Sequence, residues 1–188
     1  MRWRRLFEDL EAQLDAGLEV ELAAEVAERT RREAALVHLR DRVAAAHGGQ
    51  VSVLLLGAGP LAGVLVDSGV DWLLLEEPGA GELLVPIAAV LGLTGVGAAA
   101  AVPDDSAVGR RLDLRWALRG LARSRTAVRL VLVDGSVLTG TLDRVGADHV
   151  DLAEHGRDEP RRAAAVRQVR LVPLAAVAAV RSGRPGGA

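Results

Sequence analysis

The 188-residue chain has no Cys, Lys, Asn or Tyr, and aromatic residues make up only 2% of it. Without Cys there is no disulfide, no zinc–thiolate site and no thiol nucleophile. With no Lys, the fixed cations of the side chains are all Arg, the usage of a GC-rich genome, so Arg abundance alone says little about partners. The four His, at 38, 47, 149 and 155, show no metal-ligand spacing. No Ser stands in a nucleophile motif. These absences argue against an enzyme and for a chain with no metal and no cofactor.

Long apolar segments are scarce too. The basic start Met1-Arg-Trp-Arg-Arg5 turns acidic by Glu8 without an apolar core, so it does not read as a secretory signal. The uncharged run from Leu83 to Val102 has the length of a membrane span but carries Pro86 and several Gly. It reads as a buried strand running into a Gly/Ala-rich linker. The expectation is a soluble cytoplasmic protein with no membrane contact.

What is there is a repeat. Residues 51–77 and 128–154 align without a gap and share nine identities, among them Val51/Val128, Gly63/Gly140, Leu65/Leu142, Asp71/Asp148 and Glu77/Glu154. A second shared block, Val85-Pro-Ile-Ala-Ala-Val90 and Val172-Pro-Leu-Ala-Ala-Val177, follows in each copy, ten residues later in the second. Self-similarity at a fixed offset marks a duplicated supersecondary unit.

Read in order, residues 2–47 have a helical apolar spacing at Trp3, Phe7, Leu10, Leu14, Leu18, Leu22 and Val26, closed by His47-Gly48-Gly49. From Val51 the period becomes that of strands. Strands are expected at Val51–Leu56, Leu61–Val66, Asp71–Glu76 and Leu83–Ile87, with a short fifth piece near Ala89–Leu91. Asp134-Gly135 in the second copy is a strong hairpin signal. Asp104-Asp-Ser106 offers an N-cap for a helix over 107–125, in which Arg111, Arg115, Arg119 and Arg123 recur at i, i+4.

The domain reading is a helical arm (1–32), a first helix-plus-barrel repeat (33–91), a Gly/Ala-rich linker (92–106), a second repeat (107–182) and a disordered tail (183–188). The Gly63-x-Leu65…Asp71-x-x-x-Leu75…Val85-Pro86 pattern, with its second copy, resembles the Sm-like and SH3-like small barrels. That resemblance implies an α+β fold, an arm followed by two tandem helix-plus-five-strand barrels. The whole chain is also similar to a family of actinobacterial proteins, some of which bear the name of Fis-type transcriptional regulators. A Fis-type protein reads DNA with a C-terminal helix-turn-helix, whereas this C-terminus reads as strands.

Two constellations bear on function. Gly57-Ala-Gly59-x-x-Ala62 after a strand matches a dinucleotide fingerprint, but the residues that follow are poor in helix formers and the second copy lacks it; a tight hairpin explains both. Charge is divided: residues 1–106 hold 8 Arg against 17 Asp/Glu, and residues 107–188 hold 15 Arg against 8. A basic second half suits phosphate, with Arg111, Arg115, Arg119, Arg123, Arg161 and Arg162 as candidate contacts. Trp72 and Trp116 are candidate stacking residues. The expected function is non-catalytic binding, with RNA or DNA as partner. The alternative is a structural module that self-associates through its N-terminal helix or its barrel edges.

Overall fold

The computed structural model describes residues 21–102, 112–156 and 166–182. The chain divides into two compact units, Met1–His38 and Leu39–Ala188. In the first, helix α1 occupies 21–35 of the described residues. Its surface carries ion pairs one turn apart, Arg29–Glu33 at 3.0 Å and Arg32–Glu28 at 3.2 Å. Leu22 and Val26, also one turn apart, are exposed.

The second unit begins with α2 (Leu39–Ala45), so the helix expected over 2–47 is interrupted at 36–38. Five strands follow: β1 (Gln50–Leu55), β2 (Gly59–Ser68), β3 (Trp72–Glu77), β4 (Gly81–Pro86) and β5 (Val90–Thr94). Then come α3 (Leu114–Ser124), β6 (Ala127–Leu132), β7 (Val137–Val145), β8 (His149–Glu154), β9 (Gln168–Pro173) and β10 (Val177–Ser182). The helix expected from 107 thus starts, among the described residues, at Leu114. The Gly57 turn joins two strands, as a hairpin should.

The two strand sets share a register as well as a sequence pattern. Val51 faces Gly63 and Val128 faces Gly140. Leu65 faces Leu75 and Leu142 faces Leu152, each followed by a bulge in β2 or β7. The shared glycines have a steric cause: a Cβ on Gly63 would lie 2.6 Å from the Glu76 carbonyl oxygen, and one on Gly140 2.0 Å from that of Ala153. Bulges and close backbone approach bend each set of strands over its own apolar side chains.

The expected pair of closed barrels does not form. Among the described residues, ten strands make one open antiparallel sheet in the order β5-β1-β2-β3-β4-β10-β6-β7-β8-β9. The reason is the partner chosen by β4. Its outer edge pairs with β10 of the second set, Leu84 opposite Val180 and Leu83 opposite Arg181, instead of closing onto its own β5. Strands β5 and β9 are left as the edges.

The two cores interlock across this seam. Ala179 from β10 joins the first core, with Val53, Leu75, Leu83 and the α2 residue Val43. Trp72 and Leu84 from the first set join the second, with Leu118, Leu130, Leu142 and Leu152. Polar ties reinforce it: Trp72 Nε1 donates to the Leu112 carbonyl at 2.9 Å, and the Leu114 N–H donates to Asp71 Oδ1 at 2.7 Å. Arg181 also meets Glu77 at 3.0 Å. The repeated Asp71 thus anchors the start of α3.

Candidate nucleic-acid interface

The candidate surface is the outer side of α3. Its register is set from within: Leu114 and Leu118 are buried, and the helix packs on β7. The start is fixed by two carboxylates. Asp113, the N-cap, accepts the Trp116 N–H at 2.8 Å, and Asp71 accepts that of Leu114. Both lie where a helix dipole favours negative charge. Burial acts to raise the Asp113 carboxyl, but the hydrogen bonds from Arg115 and the Trp116 N–H outweigh it and hold it below its usual range. For Asp71 burial prevails over the Leu114 N–H and pushes the carboxyl up. The helix ends at Arg125 in the left-handed conformation (φ 54°).

With that register fixed, Arg115, Trp116, Arg119 and Arg123 are exposed. Arg115 is engaged: its Nε donates to Asp113 Oδ2 at 2.7 Å. Among the described residues, Arg119 and Arg123 form no hydrogen bond or ion pair. Trp116, 46% exposed, precedes Arg119 by three residues and Arg123 by seven, so the three share a face. One turn beyond Trp116 stands Gly120, where an added Cβ would meet no atom within 4 Å. A side chain is absent there although there is room for one, and the surface beside the indole is open.

Other sequence candidates fare differently. Trp72 is 3% exposed and its indole N–H is bonded across the seam, so no ring face is open to a base; it is a packing residue. Arg111, Arg161 and Arg162 lie outside the described residues, as do the expected Asp104–Ser106 cap, the apolar spacing over 3–18 and the tail at 183–188. Arg170, on the strand after the insertion, is bound to Glu154, which also accepts from Gln168 at 3.1 Å. The Arg170 hydrogen bond holds the Glu154 carboxyl down. His149 donates through Nδ1 to Asp148 at 2.8 Å, which lowers the Asp148 carboxyl.

His155 is buried. Its Nδ1 donates to the Gly156 carbonyl at 2.7 Å, and its Nε2 lies 2.8 Å from Thr141 Oγ1. With the proton on Nδ1, Nε2 accepts from the Thr hydroxyl, a satisfied core histidine rather than a ligand. Among the described residues no group of three His, Asp or Glu is placed to hold a metal ion, and no helix is long and apolar enough to cross a membrane.

Sequence reasoning missed Asp71 as the residue that seats α3. It also missed a contrast between repeats that the alignment contains: Trp72 and Leu74 at the seam correspond to His149 and Asp151 at the far end. No protein-family model matches this chain, and no curated protein matches it in sequence.

Proposed function

We propose that this is a non-catalytic nucleic-acid-binding protein that engages single-stranded RNA or DNA with the outer face of α3. The observation that carries the reading is the placement of exposed Trp116 on one face with Arg119 and Arg123, two guanidinium groups that form no hydrogen bond or ion pair among the described residues. Stacking on an aromatic ring next to cations that meet phosphate is how single strands are held without sequence selectivity. Gly120 leaves the approach to the ring open. A cytoplasmic, regulatory role belongs with this reading.

The test is fluorescence anisotropy with a labelled single-stranded oligonucleotide and a duplex control at two salt concentrations. The affinity for the single strand falls steeply with salt, with a log–log slope of about −0.7 for each phosphate contact. The double variant Arg119→Gln/Arg123→Gln flattens that slope, while Trp116→Ala weakens binding by about 1–3 kcal/mol at every salt concentration. Absence of binding at about 50 mM salt, where such contacts are strong, refutes the proposal.

A second reading has its own observation. The edge strand β9 exposes Val169 and Leu171, and an open strand edge with apolar side chains is a template for another chain. On this reading the protein self-associates.

A further inference from the structure

We infer that the Glu77–Arg181 ion pair specifies the seam: it makes β4 pair with β10 in one register, to the exclusion of β5 and of a slipped β10.

The pair sits where charge is costly. On β3, Leu73 and Leu75 belong to the first core, and Glu77 stands two residues further along the same side of the strand. On β10, Ala179 belongs to that core, and Arg181 follows it by the same step. The two side chains, 12% and 28% exposed, meet at 3.0 Å between Glu77 Oε1 and Arg181 Nη2. Glu77 Oε2 and Arg181 Nε are buried atoms that form no hydrogen bond among the described residues. Arg181 also lies opposite Arg129 of β6, a like charge across the ladder. A largely buried pair with bonds left unmade adds little stability over apolar side chains of similar size. What it supplies is discrimination, since a neighbouring strand without a cation would leave the carboxylate alone.

The repeat shows why Glu77 needs a partner from outside its own strand set. Its counterpart Glu154 accepts hydrogen bonds from Arg170 and Gln168 of β9. At the matching places β4 has Leu83 and Gly81, which have no side-chain donor. Glu77 therefore reaches past β4 to the next strand. If that strand were β5, Val-Leu-Gly-Leu-Thr, no register would bring up a cation. If β10 slipped by two residues, every side chain would keep its face, but Arg181 would move by about 7 Å.

The other seam contacts discriminate poorly. Strands β4 and β10 pair over Leu84–Val180, Leu83–Arg181 and Glu82–Ser182, and the small Ala178 and Ala179 beside them fit more than one register. Trp72 and Asp71 bond to the Leu112 carbonyl and the Leu114 N–H, so they hold α3 and not β10. An unpaired carboxylate disfavours each alternative by about a hundredfold or more.

The experiment uses the absence of Cys from the chain. In the full-length parent Glu82→Cys/Ser182→Cys, the two thiols face each other in the observed register and lie within reach of a disulfide, which β5 pairing or a two-residue slip removes. Dilute protein is exposed to oxidised glutathione, and cross-linking is followed in time by non-reducing electrophoresis. The parent cross-links completely in one phase. Adding Glu77→Leu/Arg181→Leu removes both charges without leaving an unpaired ion, so the urea midpoint stays level or rises. Cross-linking then splits into a fast fraction and a slow remainder that lags by about tenfold or more. Arg181→Lys keeps the cation and the single phase, while Arg181→Thr loses it; should Arg181→Thr fail to fold by circular dichroism, the Leu/Leu variant decides. A Leu/Leu variant that cross-links in one phase at the parent's rate overturns the inference and leaves the pair as a tie without selectivity. Two phases in the parent itself overturn it as well.

Discussion

At the scale of single residues, small changes separate packing from function. Gly140 sits where a Cβ would come within 2.0 Å of the Ala153 carbonyl oxygen, so Gly140→Ala is expected to cost about 3 kcal/mol, measured by urea unfolding. Gly120 is the opposite case. It lies inside α3 with open space around it, so Gly120→Ala is expected to stabilise the protein by about 1 kcal/mol. If the surface beside Trp116 receives a base, the same change weakens oligonucleotide binding while the melting temperature rises. Asp113→Ala removes the α3 cap at a cost of about 1 kcal/mol at neutral pH. The Asp113 carboxyl is held below its usual range in the folded state, so its contribution is full above the ordinary carboxylate pKa and fades as the pH falls through the folded value. Wild type and Asp113→Ala should therefore converge in stability in acid, as denaturant titrations at neutral and low pH would reveal.

At the scale of elements, the strands were legible and their assembly was not. The alternation of Val51, Val53 and Leu55 and the paired Gly63 and Gly140 place β1, β2, β6 and β7 within a residue or two of where they lie, because strand period and turn chemistry are local. Whether β4 closes onto β5 or onto β10 depends on a contact between segments far apart in the chain. Leu83-Leu84-Val85 reads the same in both cases, so the barrels were expected closed. Trp72 was misplaced for a related reason: as one aromatic in a strand it looks like a surface for a base, and only the arrival of α3 and its Leu112 carbonyl buries it. The outward Arg face of α3 was visible in its i, i+4 spacing. That Arg115 is engaged by Asp113 while Arg119 and Arg123 form no hydrogen bond or ion pair among the described residues required side-chain geometry.

At the scale of the Leu39–Ala188 unit, the cores are joined through Ala179 in one direction and Trp72 and Leu84 in the other. Such interlocking predicts that the two strand sets unfold together. Leu75→Ala in the first core and Leu152→Ala in the second should each cost about 3 kcal/mol and shift one common transition, followed by both circular dichroism and tryptophan fluorescence. Two separate transitions, each sensitive to one of the changes, would contradict the shared core. The seam also imposes an order on synthesis. The strand at the middle of the sheet, β10, is the last of the ten to be made. At ordinary elongation rates β4 waits on the order of ten seconds for it, with its edge bare and Leu84 without its Val180 neighbour. Nascent β4 is then open to capture by a chaperone or to mispairing with another growing chain, and it stays so until β10 arrives.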